Sequence, residues 1–229
     1  RIEVGRFKER KDLLAAFDLF DPNASAQASS FTKIGNQAYN VILGNAKEAF
    51  DLDKEPESMR EMYGKGGIGD QMLLARRLAQ FGTKFVTVHY GGWDMHGNIK
   101  KALEGRVPPL DKALAAFVQD IYQSGLSEKV LLVVTGEFGR TRLNQNAGRD
   151  HWPKVFSTII AGGGIKGGMT YGTSNATASE PEENPVNIED WASTIYDRLG
   201  IVSDKELMAP GDRPIEIVDG GKVIEDLII

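Results

Sequence analysis

Apolar residues recur at helical spacing along the first part of the chain. Leu13 and Phe17 fall four positions apart among charged residues, which is typical of an amphipathic helix. Similar spacing over 31–50 and 55–63 predicts further helices. We therefore expect residues 1–63 to form a helical N-terminal segment that packs on the main body of the protein.

The pattern changes to alternating helices and strands after a glycine-rich break. An amphipathic stretch over 70–81 precedes the apolar run FVTVHY at 85–90, and a second one that begins at Pro108 precedes VLLVVT at 130–135. Strands as uniformly apolar as these are usually covered on both faces. We therefore predict an α/β domain over 64–229, with a mostly parallel sheet between two helical layers.

The last third of the chain continues this alternation. A third apolar run at 155–161 predicts a strand, and the spacing over 188–199 predicts a helix. Asn187 is suited to cap that helix in front. A short edge strand is predicted at 214–218.

Composition excludes several classes of protein. The net charge is −5 with no long run of lysine and arginine, which gives no footprint for nucleic acid. The absence of cysteine excludes disulfides and thiolate metal sites. No apolar stretch approaches the ~20 residues that a membrane span needs. The chain opens at Arg1 without an initiator methionine or a signal-like region, so we expect a fragment or a processed product.

Histidines and acidic residues concentrate at or just beyond the predicted strand ends, where ligands of α/β sheets bind. They are His89, His96, His151, Asp94, Glu137 and Asp150. A divalent ion needs carboxylate oxygen and neutral imidazole nitrogen that converge from different loops. Asp94, His96 and His151 meet this requirement, and Glu137 and Asp150 are further candidate ligands.

A structural interpretation stands beside the metal hypothesis. For any single histidine in this set, a hydrogen bond to a loop backbone is about as good an explanation as a role as metal ligand. His89 lies inside a predicted strand, where a hydrogen-bonded core histidine is the better interpretation. The clustering of all three histidines at strand ends favours the metal site for the set as a whole.

Two arginines flank these acidic residues. Arg140 and Arg149 would bind the oxygens of a phosphate or sulfate group in two-point fashion, or each would pair with a neighbouring acid. The glycine pattern at 64–69 follows no predicted strand, so a dinucleotide site is disfavoured. The sequence has no Gly-x-Ser-x-Gly elbow, and a serine hydrolase of the α/β class is therefore excluded.

Six motifs resemble, in order and spacing, the DUF1501 family of uncharacterised bacterial proteins. They are GWDMHGN, PPLDKAL, VVTGEFGRT, GRDHWP, FSTIIAGGGIKGG and RPIEIVDGG. The resemblance covers nearly the whole chain. That family is in turn similar to the alkaline phosphatase and sulfatase superfamily, which implies a three-layer α/β/α sandwich that hydrolyses phosphate or sulfate esters at a metal centre.

The superfamily resemblance implies roles for particular residues. Asp94 and His96 look like an Asp-x-x-x-His element that binds one metal, although a single residue separates them here. Glu137 stands where the aspartate of a second metal element would be, and Phe138 replaces its histidine. His151 looks like the ligand that completes the first site. The nucleophile and another aspartate would come from an upstream strand, so the chain resembles the C-terminal portion of such a protein.

Two functions follow as expectations. The first is a metal-dependent hydrolase of phosphate or sulfate esters that binds zinc, manganese or calcium and acts on a small anionic ester. In it Glu137 would be a ligand or general base, and Arg140 and Arg149 would hold the oxyanion. The second is a non-catalytic module of the same fold that binds an anionic polymer or a partner protein. The family resemblance also implies a periplasmic or extracellular location.

Overall fold

A computed structural model describes residues 4–17, 25, 29–30, 33–34 and 46–229. The chain forms two compact units, Arg1–Val88 and His89–Ile229. We call them the N-terminal and the C-terminal unit. Most of the helix predicted over 31–50 lies outside the described residues.

Helices account for the regular structure of the described residues of the N-terminal unit and for two segments of the C-terminal unit. They are α1 (Val4–Phe17), α2 (Ala46–Ala49), α3 (Glu57–Tyr63), α4 (Gly67–Gln80), α5 (Ile99–Gln123) and α6 (Ile188–Arg198). Short 3-10 turns lie at Leu52–Lys54 and Glu225–Leu227. The helices predicted over 55–63, 70–81 and 188–199 are confirmed to within a few residues at each end.

The N-terminal unit is built around α3 and α4. Tyr63 and Leu73 are almost fully buried, because the apolar face of α4 packs against α3. Beside them Glu55 accepts hydrogen bonds from Arg76 and Arg77. Burial raises the pKa of Glu55, but the hydrogen bonds and the positive charges of the two arginines together outweigh it and leave the pKa below its usual value. The ion cluster therefore ties the segment before α3 to α4.

All strands lie in the C-terminal unit as far as the structure describes the chain. They are β1 (Leu131–Val134), β2 (Gly139–Leu143), β3 (Arg149–Trp152), β4 (Ile159–Gly162), β5 (Thr173–Ser174), β6 (Pro181–Glu183), β7 (Glu206–Ala209) and β8 (Arg213–Glu216). They form four two-stranded antiparallel sheets, β1 with β4, β2 with β3, β5 with β6, and β7 with β8.

The predicted three-layer sandwich with a mostly parallel sheet is therefore wrong. The apolar runs at 130–135 and 155–161 do form strands, but Leu131 pairs with Gly162 and Val134 with Ile159 in antiparallel register. The apolar runs are also less buried than a strand covered on both faces would be, since Leu131–Val134 are half-buried and Ile159 is 52% exposed, so the premise for a parallel sheet does not hold here. The chain between these strands contains the β2–β3 hairpin and no crossover helix, so it returns in the opposite direction.

The run at 85–90 also departs from the prediction. It forms no strand among the described residues, and the Phe85 side chain is 81% exposed. A strand needs a neighbour to pair with its backbone groups, whatever the propensity of its own residues. His89 accordingly lies in an irregular, exposed segment.

The long helix α5 organises the C-terminal unit. It begins at Ile99, earlier than the predicted start at Pro108. Asn98 adopts a left-handed conformation in front of it, and the Ile99 amide donates to the carbonyl of Ala147. Phe117 and Ile121 are buried on the face that packs against β4. In the described ranges no helix is long and apolar enough to cross a bilayer.

Candidate metal centre

Two segments of the C-terminal unit meet at the candidate site. One is the loop 94–98, which runs into α5, and the other is the β2–β3 hairpin. The Arg149 amide donates to the carbonyl of Met95 at 3.0 Å, and the Asn98 amide donates to the carbonyl of Asn146 at 3.0 Å. These backbone hydrogen bonds fix the loop against the hairpin.

A glycine in the hairpin permits this close approach. Gly148 is buried, and a Cβ atom at this position would overlap the backbone of His96 and Gly97. Backbone atoms cannot turn aside as a flexible side chain can. The contact between the loop and the hairpin therefore requires glycine at this point.

The register of the hairpin explains which of its side chains reach the site. Arg140 pairs directly with His151, and side chains that are directly opposite in an antiparallel pair lie on the same face. Phe138, two residues before Arg140, contacts the His151 ring with 4.4 Å between ring centroids. Arg140 also lies over the Phe138 ring, at 5.4 Å from its centroid. One face of the hairpin thus carries an imidazole, a guanidinium and an aromatic ring.

The loop supplies two more groups to this face. Asp94 and His96 are exposed, and Met95 between them is 7% exposed. Alternate residues of the loop therefore project to the same side, as in an extended chain. This is why a single intervening residue is enough to bring an aspartate and a histidine together.

The carboxylate of Asp94 is the centre of the cluster. Its Oδ1 atom lies 2.8 Å from Nε2 of His151, 3.0 Å from Nε2 of His96 and 2.7 Å from Nη1 of Arg140. One ligand atom each from Asp94, His96 and His151 lies within 4.8 Å of the others. The two rings are 4.9 Å apart between centroids. Three atoms that bind divalent metal ions are thus assembled in one place.

His96 has a second carboxylate partner on the other side of its ring. Its Nδ1 atom lies 2.9 Å from Oδ1 of Asp150. Asn144 Nδ2 donates to the same Asp150 oxygen at 3.2 Å and to the carbonyl of His96 at 3.1 Å. Asp150 therefore contacts the site through His96 and lies outside the three-residue group.

These contacts shift the pKa values of three groups. Hydrogen bonds from His151 and Arg140 lower the pKa of Asp94 to about 2. The hydrogen bond to Asp150 raises the pKa of His96 above its usual value, and hydrogen bonds from His96 and Asn144 lower the pKa of Asp150. Both carboxylates are therefore ionised throughout the neutral range.

The donor set and the access to solvent fit a metal ion. Two imidazoles and one carboxylate are a ligand set of catalytic zinc sites, in which a fourth position stays open. The side chains of Asp94, His96 and His151 are 62%, 47% and 50% exposed, which leaves room for that position. A tetrahedral ion with ligands at ~2.1 Å separates its ligand atoms by roughly 3.4 Å. The Asp94–His96 and Asp94–His151 distances must therefore open by about half an ångström, which exposed side chains accommodate.

Three further residues from the sequence analysis lie apart from this group. Glu137 is exposed and Arg149 is partly exposed, and in the described part of the chain neither side chain hydrogen-bonds to Asp94, His96 or His151. His89 is also outside the three-residue group. Arg140 does join the site, with its side chain 19% exposed and its guanidinium on Asp94.

Sequence reasoning missed Asn144. Its Oδ1 atom accepts the amides of Asn146 and Gly148, each at 3.0 Å, and its Nδ2 atom reaches both His96 and Asp150. Asparagine commonly caps the backbone two residues further on in a turn. The run Asn144-Gln145-Asn146 before Ala147-Gly148 carries that signal for a turn, although it says nothing about the contact with His96.

Comparison with known proteins assigns the family. Over residues 2–228 the sequence matches the family described as "Protein of unknown function (DUF1501)". Since the match spans nearly the whole chain, the protein belongs to the DUF1501 family. No curated protein and no solved structure shows a significant match to the chain.

Proposed function

We propose that the C-terminal unit binds one divalent metal ion through Asp94, His96 and His151 and hydrolyses phosphate or sulfate esters there. The observation that carries the proposal is the convergence of two imidazole Nε2 atoms on one carboxylate oxygen, at 3.0 and 2.8 Å. The resemblance of the motifs to the alkaline phosphatase and sulfatase superfamily supplies the reaction class.

The donor set favours zinc, followed by manganese, over calcium. Imidazole nitrogen suits zinc, whereas calcium takes six to eight oxygen ligands. When bound here, such an ion would polarise an ester oxygen and lower the pKa of its bound water. The carboxylate is prepared for it, because Asp94 is already ionised and needs to lose no proton.

Arg140 is the group best placed to hold an anionic substrate. Its guanidinium lies next to Asp94 and is supported by Phe138. A guanidinium binds phosphate or sulfate oxygens through charge-assisted hydrogen bonds. We propose that Arg140 holds the substrate anion beside the ion. Glu137 and Arg149 remain candidates for the general base and for a second anion contact.

A binding module without catalysis is the second candidate function. Phe138 occupies the position where the superfamily places a histidine, and it packs on His151 in place of a further ligand. One ion held by three residues would then bind an anionic polymer or an acidic partner. From the family resemblance, we propose that either activity takes place in the periplasm or outside the cell.

Metal content tests the site itself. The chain is purified without chelator, dialysed against zinc or manganese, and its metal is measured by elemental analysis beside the variants His96→Ala and His151→Ala. We expect about one ion per chain, lost in both variants. His89→Ala is the matched control, since that histidine lies outside the group, and it should retain the ion. Equal metal content in all four proteins would refute the site.

Hydrolysis separates the two candidate functions. The metal-loaded protein is assayed against aryl phosphate and aryl sulfate monoesters, with His96→Ala as the blank. Turnover that requires both the metal and His96 supports the hydrolase. Stoichiometric metal binding with no turnover on either ester class favours the binding module instead.

A further inference from the structure

We propose that Asp150 is a positioning residue for His96 and does not ligate the metal. This inference rests on the proposed function, because it concerns a ligand of the same ion. The sequence makes both Asp94 and Asp150 candidate ligands, and in the structure both contact His96. The structure distinguishes them by the ring nitrogen that each one contacts.

The two carboxylates bind opposite edges of the imidazole ring. Oδ1 of Asp94 lies 3.0 Å from Nε2 of His96, and Oδ1 of Asp150 lies 2.9 Å from Nδ1. The Nε2 of His151 also faces Asp94. The atoms that would surround an ion are therefore on the Nε2 side, and Asp150 is on the far side of the ring.

This placement favours one tautomer of neutral His96. Both ring nitrogens face an ionised carboxylate, but the contact of Nδ1 with Asp150 has hydrogen-bond geometry, whereas the contact of Nε2 with Asp94 at 3.0 Å is a charge pairing. Nδ1 therefore carries the hydrogen and donates it to Asp150. Nε2 then presents its lone pair to the site. Carboxylates that accept the second N–H of a ligating histidine orient the ring and increase its basicity.

Asp150 is itself held in place by the hairpin. Asn144 Nδ2 donates to its Oδ1 atom at 3.2 Å, and the Asp150 amide donates to Oγ1 of Thr141 at 3.0 Å. Asn144 also holds the carbonyl of His96 at 3.1 Å. The side chain of His96 is thus held by Asp150 and its backbone by Asn144, and these two hairpin residues are hydrogen-bonded to each other.

The first arm of the test needs no metal. In ¹⁵N-histidine-labelled apo protein, at a pH where imidazole is neutral, long-range ¹H–¹⁵N spectra report which nitrogen of His96 carries the hydrogen. We expect Nδ1–H in the wild type and in Asp204→Ala, a control at an exposed aspartate of the same unit. Asp150→Ala should show a mixture of both forms, and Asp150→Asn, which keeps an oxygen acceptor, should restore part of the preference.

The second arm measures the ion. Cobalt, as a spectroscopic substitute for zinc, is titrated into the same proteins. We expect Asp150→Ala to bind one ion with an affinity about 10–100-fold weaker and with the d–d absorption of the wild type, because the ligands are unchanged. Asp150→Asn should recover part of the affinity. Asp94→Ala removes a ligand and should change the absorption spectrum.

Three results overturn the inference. A changed cobalt spectrum in Asp150→Ala would make Asp150 a ligand. An unchanged affinity together with an unchanged tautomer would make it a bystander, and an Nε2–H form of His96 in the wild type would contradict the geometry. If the wild type binds no ion, the proposed function fails, and the tautomer measurement still decides whether Asp150 positions His96.

Discussion

Gly148→Ala tests whether close contact between the loop 94–98 and the hairpin assembles the site. The added Cβ would lie 2.0 Å from the carbonyl carbon of His96, about 1.5–2 Å inside van der Waals contact. Because the obstacle is backbone, the loop itself must move. Asp94 and His96 are on that loop and His151 is on the hairpin, so the three ligand atoms separate.

The expected magnitude combines two effects. Overpacking of a well-packed site costs about 1–3 kcal/mol. Replacing glycine by alanine also reduces the entropy of the unfolded chain, which stabilises by about 0.4–1 kcal/mol. The net loss in the free energy of unfolding is therefore about 1–2 kcal/mol. With a urea m-value of about 1–3 kcal/mol/M, the unfolding midpoint should fall by about 0.5–1 M.

Tryptophan fluorescence is a specific assay for this change. Trp93, Trp152 and Trp191 are the three tryptophans of the chain, and all of them lie in the C-terminal unit. Urea unfolding followed by their emission therefore reports the unit that carries the site. Zinc affinity, measured by competition with a chromophoric chelator, should fall at least about tenfold in the same variant.

Gly105→Ala is the matched control. Gly105 lies within α5, and a Cβ at that position meets nothing within 4 Å. The same substitution there should stabilise the unit by about 0.5–1 kcal/mol and leave zinc affinity unchanged. A Gly148→Ala protein as stable as the wild type, with unchanged zinc affinity, would refute the argument that glycine is needed for the contact.

Three further predictions concern His96 and Arg140 at the site and Glu55 in the N-terminal unit. Zinc affinity should weaken as the pH falls through the raised pKa of His96, because a proton then competes with the ion for Nε2, while Asp94, with a pKa of about 2, stays ionised. Constant affinity in a chelator competition series between about pH 5 and 8 would contradict this prediction. Arg140→Gln should weaken inhibition by inorganic phosphate about 10–100-fold and leave zinc affinity unchanged. Arg142→Gln, at an exposed position of the same strand, is the control and should change neither the inhibition by phosphate nor the zinc affinity. Glu55→Gln should destabilise the N-terminal unit by about 3 kcal/mol at neutral pH. Because the pKa of Glu55 is lowered, that difference should shrink as the pH falls toward it, as measured by urea unfolding followed by circular dichroism.

Helices were predictable from the sequence because their signals are local. The apolar spacing over 70–81 and 188–199 was sufficient to place α4 and α6 within a few residues. Strand pairing is not local. The apolar runs before and after the hairpin predicted that strands exist, but their antiparallel pairing depends on the path of the connecting chain, which hydrophobicity does not encode.

The candidate site was predictable in its residue types and not in its internal arrangement. The sequence brought Asp94, His96 and His151 together as candidate ligands, and the structure places these three side chains in contact. The distinction between Asp94 and Asp150 depends on which edge of the His96 ring each one meets. That distinction requires the hairpin register and the contacts of Asn144, which only the folded chain provides.

The most direct test of the central claim is an anomalous difference map from crystals of the zinc-loaded protein, recorded on both sides of the zinc absorption edge. We predict one peak at about 2.0–2.2 Å from a carboxylate oxygen of Asp94 and from Nε2 of His96 and His151. A peak at other residues, or no peak at these three side chains in fully loaded crystals, would contradict the proposed metal site.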